Sequence, residues 1–513
     1  MIIILLYERQ IMNIKELKKS YDDYYKNIKG YQIVLSILSF DNSTIAPSKS
    51  LEEKADYTGI VYDDYFKLTT SDEFANIVNE LYKNKDKLDD NYKRIADLAK
   101  KDLDMQRKLP SEFQRENNIF LNKAFLVWRA AKQNNDWNSF EPYLETCVAN
   151  TKKMAEYYGP IEGSYYNRLL DIYEEGATTK SLDKFFDSLK ATIIPLLKKI
   201  QNSKVKINDD FAHAIVKHDK QMKLTKYILK INGFDFTRGC ISETEHPFTD
   251  GISPNDARIT THIYENMFFS NIFSSAHEGG HAIYEQNLNN KLPDNLRNAA
   301  SMAWHESQSR FYENIICRSE EYIHLIYKKV NQVLPKPYKN NVSEHDMYLA
   351  ANKVEPSLVR TEADELTYTL HIIIRYELEK QLIDGKLQVK DLRNAWNKLY
   401  KEYLGVDVTS DKEGVLQDSH WSSEAIGYFP SYALGNAYGA QILHTMMKDF
   451  DVYEAIKENK IKQKIGKWLK DHIYVYGEKL TPQELILKVT GEPLNPKYFE
   501  DYLTKKYTKI YKL

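Results

Sequence analysis

Apolar residues recur along most of the chain three and four positions apart, which places them on one face of an α-helix. This pattern predicts helices over residues 60–68, 92–109, 119–132, 140–158, 178–204 and 357–382. Glycine (19) and proline (15) are scarce for a chain of 513 residues. Neither a repeat of fixed period nor a linker rich in proline and serine divides the sequence. The pattern therefore predicts a mostly α-helical fold in a single large domain.

Two stretches lack the helical pattern, at residues 233–262 and 404–430. In the first, glycine, threonine, proline, aspartate and β-branched residues cluster, which is typical of turns and short strands. Residues 258–264 alternate in a way that predicts an exposed edge strand. We therefore expect an all-α fold with a few short strands near the helices that carry the chemistry.

The composition is that of a folded soluble protein, with 42% hydrophobic and 28% charged residues. Lysine and arginine number 71 against 73 aspartates and glutamates, so the net charge of −2 favours neither nucleic acid nor an anionic membrane as partner. The three cysteines, Cys147, Cys240 and Cys317, lie far apart and one must stay unpaired. This usage points to a reducing compartment, and we expect a cytoplasmic protein.

Residues 1–6 are apolar, but the run is too short for a secretory core or a membrane span. The amphipathic pattern begins only at Ile14. We therefore predict a single helical domain over residues 12–513, with residues 1–11 as a non-structural extension and Met12 as the alternative start.

The clearest chemical signal is His277-Glu278-Gly279-Gly280-His281. Two histidines four positions apart project from one face of a helix, about one turn from each other, as two ligands of one cation do. The carboxylate of Glu278 then lies where it can reach a metal-bound water. The alternative is a helix face with two hydrogen-bonded structural histidines.

The two glycines within this motif argue against a purely structural helix. Each glycine in a helix interior is about 1 kcal/mol less favourable than alanine. Gly279 and Gly280 therefore indicate that another helix or a substrate approaches the backbone closely.

A catalytic site of this type needs a third protein ligand and an open position. Glu306 lies on the next helical segment, after a predicted helix end near Asn289 and a loop through residues 293–294. His305 is the alternative third ligand. Adjacent residues on a helix point about 100° apart, so only one of the two faces the metal, and we favour Glu306.

The chain resembles the Taq-type metallocarboxypeptidase family, whose six motifs occur here in order. They are His-Pro-Phe at 246–248, Asp-Ala-Arg-Ile-Thr at 256–260, the histidine pair at 277–281, His-Glu-Ser-Gln at 305–308, Val-Arg-Thr-Glu-Ala-Asp at 359–364 and Gly-Val-Leu-Gln-Asp-Ser-His-Trp at 414–421. Val359, where the family usually has isoleucine, is the one departure. The N-terminal part resembles the family more weakly, through Asp41, Thr44 and Pro47.

The resemblance implies an all-helical fold with a deep central groove, a homodimer, and removal of C-terminal residues from peptides. It implies zinc, or alternatively cobalt, as the metal. It places the ligands on His277, His281 and Glu306, and the catalytic carboxylate on Glu278.

The tetrahedral oxyanion formed in peptide hydrolysis requires further hydrogen-bond donors. The candidates are Tyr428, His420 and His246, of which the first two lie in the irregular stretch before residue 430. Each has an ordinary alternative: a packed tyrosine, a buried structural histidine, and a histidine that fixes a turn.

A carboxypeptidase must bind the free C-terminal carboxylate of its substrate, for which the planar fork of arginine is well suited. Arg360 and Arg258 lie in the two motifs that contain arginine, and the resemblance favours Arg360. The alternative for Arg360 is an ion pair with a nearby acidic residue. Asp364 and Asp418 are candidates for orienting the ligand histidines, and each also suits a helix cap or a buried ion pair.

Two rival functions remain open. An endopeptidase or oligopeptidase would use the same metal helix and differ only in the substrate-binding groove. A non-catalytic helical scaffold would hold a structural metal with four protein ligands, and no fourth ligand is evident near Glu306.

Overall fold

The computed structural model describes residues 13–513, so the predictions for residues 1–11 and Met12 lie outside the described residues. The side chain of Asn13 accepts a hydrogen bond from the backbone N–H of Glu16 (3.0 Å), and the Glu16 side chain accepts one from the N–H of Asn13 (3.2 Å). This reciprocal cap begins the first helix at Ile14.

The described residues form two compact units. The smaller unit holds residues 13–109 and 290–297. Its helices are α1 (Ile14–Thr44), α2 (Leu51–Thr70), α3 (Asp72–Lys83) and α4 (Asp90–Lys108). Its core consists of buried side chains from these helices, among them Val78, Leu81 and Ile95.

The larger unit holds residues 110–289 and 298–513 and contains every residue predicted for the site. Its helices are α5 (Ser111–Asn134), α6 (Trp137–Tyr158), α7 (Tyr165–Tyr173), α8 (Thr179–Gln201), α9 (His218–Asn232), α10 (Phe268–Asn287), α11 (Met302–Arg310), α12 (Glu320–Val333), α13 (Glu344–Ala351), α14 (Glu365–Ile383), α15 (Val389–Leu404), α16 (Pro430–Met446), α17 (Val452–Lys457), α18 (Lys467–Leu469), α19 (Pro482–Thr490) and α20 (Lys497–Tyr511). The prediction of a mostly helical chain is confirmed.

One predicted helix begins later than expected. The pattern placed its start at residue 357, but α14 begins at Glu365. The side chain of Asp364 accepts hydrogen bonds from the backbone N–H groups of Leu366 and Thr367, both at 3.0 Å, and so fixes the N-terminus of the helix. The residues before Asp364 form only a short 3₁₀ turn, Arg360–Glu362.

The predicted short strands are present and form one three-stranded sheet in the order β1-β3-β2. The strands are β1 (Gly239–Glu243), β2 (Thr249–Ser253) and β3 (Asp256–Thr261). The prediction of an exposed edge strand at residues 258–264 is wrong, because β3 is central. It pairs in parallel with β1 and antiparallel with β2, and its Ile259, Thr260 and Thr261 are buried.

The second irregular stretch is confirmed, since residues 405–429 join α15 to α16 with only one 3₁₀ turn, His420–Ser423. Within residues 13–513, every helix is too short or too polar to cross a lipid bilayer.

Candidate active site

The three predicted metal ligands converge. His277 and His281 lie on α10 and Glu306 lies on α11, with one ligand atom of each within 4.8 Å of the others. Oε2 of Glu306 is 3.3 Å from Nε2 of His281 and 3.7 Å from Nε2 of His277. Donor atoms about 2.1 Å from one tetrahedral ion are about 3.4 Å apart, so this set fits a single cation.

Glycine allows the two ligand helices to approach this closely. A Cβ atom on Gly280 would lie 2.8 Å from the backbone O of Gln308 and 2.8 Å from Cα of Ser309. Gly279 faces α9, where a Cβ atom on this glycine would lie 2.6 Å from Cδ2 of Leu229. The predicted close approach of another helix to this glycine pair is confirmed.

A third helix packs directly against the carboxylate ligand. A Cβ on Gly435 of α16 would lie 2.8 Å from Cγ and 2.9 Å from Cβ of Glu306. Any larger residue at position 435 would displace the Glu306 side chain, so α16 fixes its position from one side.

The Nδ1 atom of each ligand histidine has a partner. Nδ1 of His277 donates to Oε2 of Glu313 (2.9 Å), which lies in a π-helical turn, Phe311–Ile316, directly after α11. Nδ1 of His281 is 2.5 Å from Nδ1 of His305, whose Nε2 is 2.7 Å from Oε1 of Glu285.

These partners determine which ring nitrogens face the metal position. Glu285 only accepts, so Nε2 of His305 carries a hydrogen and its Nδ1 accepts from His281. Burial and the nearby His305 lower the pKa of His281 to about 3, so its ring is neutral. Nε2 therefore carries the free lone pair on both His277 and His281. His305 orients His281 and is not a ligand.

Neither aspartate predicted to orient the histidines does so. Asp364 caps α14, and Asp418 accepts ion pairs from Arg360 (2.8 Å) and Arg375 (2.6 Å). Glu313 and His305 take the orienting role because His305 lies next to Glu306 on α11 and Glu313 lies in the turn that follows, both within hydrogen-bond reach of α10.

The charge of Glu306 is held by its surroundings. Burial raises the pKa of this carboxyl, but His277, His281 and the positively charged Arg310 together outweigh burial and keep the pKa well below its usual range. Nε of Arg310 donates to Oε1 of Glu306 (2.7 Å). Oε1 is thereby occupied, and Oε2 remains directed at the two imidazoles.

Glu278 lies beside this cluster and is buried, with 7% of its surface exposed. Oγ1 of Thr249, on β2, donates to its Oε2 (2.7 Å). Burial raises the pKa of Glu278 above its ordinary value. A carboxylate with a raised pKa is a stronger base, which suits proton abstraction from water.

Two of the three predicted oxyanion donors lie together. The rings of His420 and Tyr428 are 5.5 Å apart, and Nε2 of His420 is 3.2 Å from the hydroxyl of Tyr432. Burial, and to a lesser extent the negative charge of Glu306, raise the pKa of Tyr428.

Within residues 13–513, His246 makes no hydrogen bond or ring contact with His420 or Tyr428. It is exposed between β1 and β2, and within residues 13–513 its imidazole makes no hydrogen bond. Its backbone carbonyl accepts a hydrogen bond from Oγ1 of Thr244 (2.8 Å). This contact fits the alternative role of fixing a turn.

Both predicted arginines are engaged with acidic residues. Arg360 is buried, donates from Nε (3.0 Å) and Nη2 (2.8 Å) to Oδ1 of Asp418, and donates from Nη1 to the hydroxyl of Tyr368 (2.9 Å). Arg258 pairs with both carboxylate oxygens of Asp256 at 2.9 and 2.8 Å. Arg360 retains N–H groups for a further acceptor, since a guanidinium has five and three are used here.

Several site residues were missed by the sequence analysis. Arg310 and Glu313 could have been found, because they follow Glu306 by one and two helical turns and so share its face. Thr249 and Tyr432 gave no sequence signal, since their contacts depend on the packing of the sheet and α16.

Comparisons with known proteins identify the family of this chain. The family model for the carboxypeptidase Taq (M32) metallopeptidases matches residues 20–507. Carboxypeptidase 1 of Bacillus subtilis is 39% identical over 98% of this chain and 100% of its own length. Thermostable carboxypeptidase 1 of Pyrococcus furiosus is 33% identical over 94% of this chain and 97% of its own.

The fold comparison gives the same result. The crystal structure of the M32 carboxypeptidase from Deinococcus radiodurans superposes with a TM-score of 0.91, at 29% identity, over 97% of this chain and 100% of that one. The matches extend over both compact units and all six motifs. This chain therefore belongs to the carboxypeptidase Taq (M32) family and is a metallocarboxypeptidase.

Proposed function

We propose that this enzyme releases C-terminal residues from peptides with a zinc ion held by His277, His281 and Glu306, and with Glu278 as the general base. The observation that carries the proposal is the convergence of two Nε2 atoms and one carboxylate oxygen beside a buried second carboxylate. Zinc prefers this combination of nitrogen and oxygen donors, and cobalt accepts the same set.

The number of ligands supports a catalytic rather than a structural site. Within residues 13–513, the metal-binding group contains three residues, whereas structural zinc sites use four. When bound, the cation would lower the pKa of a coordinated water and polarise the substrate carbonyl.

Glu278 is placed to move the proton. Its Oε2 is occupied by Thr249, which leaves Oε1 to accept a proton from the attacking water. The raised pKa keeps the acquired proton available for transfer to the leaving amine. The same residue thus acts first as base and then as acid.

We assign the stabilisation of the oxyanion to Tyr428 and His420. The raised pKa of Tyr428 keeps its hydroxyl protonated and able to donate at neutral pH. His420 has a pKa lowered to about 3, chiefly by burial, so it is a neutral hydrogen-bonding group. His246, which is exposed between β1 and β2, is the weaker candidate.

The substrate carboxylate is assigned to the neighbourhood of Arg360. Arg360 and Arg375 share a single carboxylate, Asp418, so this buried group carries one excess positive charge. An anionic substrate end would compensate that charge. Arg258, whose fork is matched by Asp256, is the weaker candidate.

The carboxypeptidase specificity is tested with paired peptides that differ only at the C-terminus. A free-acid peptide is expected to be shortened, while its amidated twin is cut at least about 100-fold more slowly, since it offers no carboxylate to the excess positive charge. Glu278→Gln is expected to retain the metal and to lose hydrolysis. Equal cleavage of both peptides would instead establish an endopeptidase.

We also propose a homodimer in the cytoplasm. The family resemblance supports the dimer, as do the exposed apolar side chains of Ile119 and Leu126 on α5. The unpaired thiols of Cys147, Cys240 and Cys317 support a reducing compartment. Sedimentation velocity that shows only a 60.1 kDa species would refute the dimer.

A further inference from the structure

Glu379 is a fully buried carboxylate on α14 that has no part in the reaction described above. It accepts three hydrogen bonds. Oε1 accepts from Nε1 of Trp421 (2.8 Å), and Oε2 accepts from the backbone N–H of Gly427 (2.9 Å) and the hydroxyl of Tyr166 (2.9 Å). A buried carboxylate with so many donors holds together the elements that supply them.

Two of these donors flank the proposed oxyanion donors. Trp421 directly follows His420, and Gly427 directly precedes Tyr428. One carboxylate therefore holds residues 420–428, here called the donor segment, near each of its ends. Apart from the short turn at its start, this segment has no regular structure of its own to fix it.

The donor segment is also pressed against α7. Gly427 has φ of +95°, and a Cβ there would lie 2.9 Å from the backbone C and O atoms of Leu169. Tyr166, the third partner of Glu379, lies on the same helix. Glu379 thus joins α14, α7 and the donor segment at one point.

We propose that Glu379 is a positioning residue, which sets the placement of His420 and Tyr428 relative to the metal centre. The proposal rests on the proposed function, in which those two residues serve the oxyanion. Within residues 13–513 the hydrogen bonds of Glu379 go to Tyr166, Trp421 and Gly427, and it acts on the donor segment through the last two.

The chemistry of the three donors makes Glu379→Gln a sharp test. The hydroxyl of Tyr166 can turn and accept, but the N–H groups of Trp421 and Gly427 only donate. A glutamine has a single acceptor oxygen, which can accept from only one of these two N–H groups. The other N–H group then faces the NH₂ group of the glutamine, which is also a donor. The variant therefore loses one hydrogen bond to the donor segment with almost no change in volume.

The experiment compares metal-loaded wild-type enzyme with Glu379→Gln in steady-state kinetics and hydrogen exchange. We expect kcat to fall roughly tenfold or more, because small misplacement of catalytic groups is costly, and KM to stay within about twofold. Deuterium uptake in residues 420–428 should rise, while metal content is unchanged.

Glu365→Gln is the matched control. Glu365 is another buried carboxylate of α14, paired with Lys506 (2.6 Å) and Tyr507 (3.2 Å), away from the donor segment. The Glu365→Gln variant loses a comparable buried interaction, so it measures the effect of general destabilisation on kcat and exchange. It is expected to keep kcat and the exchange of residues 420–428 at wild-type levels below its unfolding temperature.

The outcomes separate this proposal from the proposed function. Unchanged exchange or unchanged kcat in Glu379→Gln overturns the positioning role, as does an equal loss of kcat in Glu365→Gln. Tyr428→Phe and His420→Ala test the donor roles independently. If both single variants keep wild-type kcat, the donor assignment has failed; if they lose kcat and Glu379→Gln does not, only the positioning role has failed.

Discussion

The two carboxylate oxygens of Glu306 have different partners, and this difference defines the metal centre at the scale of single residues. Oε2 faces the imidazoles of His277 and His281, whereas Oε1 accepts from Arg310 at 2.7 Å. Arg310 is in turn stacked on Tyr368, with its Cζ 4.0 Å from the ring centroid. With a guanidinium on Oε1, Glu306 would hold a metal through Oε2 alone, which would leave a coordination position for water or substrate.

Removing this guanidinium should weaken metal binding. We expect Arg310→Gln to lower zinc affinity roughly 10- to 100-fold, the range found for partners that orient metal ligands. Competition with a coloured chelator measures the change without reference to activity. Arg393→Gln is the control, since Arg393 is half exposed and pairs with Asp411. Unaltered affinity in Arg310→Gln would show that Glu306 is fixed by α16 alone.

How far single residues could be predicted depends on whether their partners share a helix. His277, His281 and Glu278 follow from spacing alone, while Glu306 was favoured by its spacing and depended more on the family resemblance. Their orienting partners escaped prediction, because His305 and Glu313 reach α10 from another helix and from a π-helical turn. Sequence spacing predicts neighbours on one helix but not contacts across two.

At the scale of elements, the site depends on how closely α10 and α11 can pack. Gly280 brings its backbone against that of Gln308 and Ser309, where a Cβ would be only 2.8 Å from two backbone atoms. Backbone atoms cannot rotate away as a side chain can. The separation of the two helices, and hence of the imidazoles from Glu306, is therefore set at this glycine.

Gly280→Ala should accordingly be harmful although alanine is the better helix former. The gain in helix propensity is about 1 kcal/mol, whereas overpacking against backbone costs roughly 1–3 kcal/mol and displaces α11. We expect a lower Tm and weaker zinc binding, measured by calorimetry and chelator competition. The control is Gly439→Ala on α16, whose added Cβ would be no closer than 3.6 Å to its neighbours. A Gly280→Ala protein as stable as wild type, with full metal affinity, would contradict this account.

The elements themselves were predictable where the periodic pattern was long, as for α5, α6 and α8. The central position of β3 was not, because it depends on the pairing of β3 with both β1 and β2, which the alternation of residues 258–264 does not encode. The start of α14 was missed for a local reason. The cap at Asp364 overrides the apolar pattern that precedes it.

Across the whole molecule, a net charge of −2 conceals many buried ionisable groups. Three buried glutamates, Glu174, Glu379 and Glu424, have their pKa raised to about 7, in each case chiefly by burial. Other acidic groups have a lowered pKa. One is Glu313, whose pKa falls to about 2 because Arg310 and His277 outweigh the effect of burial. Glutamates with a raised pKa lower the stability of the fold as the pH rises, whereas acids with a lowered pKa increase it.

The three glutamates with a raised pKa should make the fold less stable as the pH rises. A carboxyl with a pKa of 4.5 in the unfolded chain and about 7 in the fold contributes its full stability below pH 4.5, and loses it as the pH rises through 7. For Glu174 the loss is up to about 3 kcal/mol, since each pKa unit corresponds to 1.36 kcal/mol. Glu313 does not oppose this change, because its contribution varies only below about pH 5.

Glu174→Gln isolates this effect. The hydroxyl of Tyr438 donates to Oε1 of Glu174 (2.7 Å), a bond that an amide oxygen can keep, and the amide has no charge to bury. We expect the free energy of unfolding in urea to decline less between pH 5 and pH 8 for the variant than for wild type. The stability of the variant relative to wild type should therefore rise with pH. Glu112→Gln, at an exposed position in the first turn of α5, should leave the wild-type slope in place. Parallel stability profiles for wild type and Glu174→Gln would mean that Glu174 stays ionised in the fold, with the hydrogen bond from Tyr438 offsetting its burial.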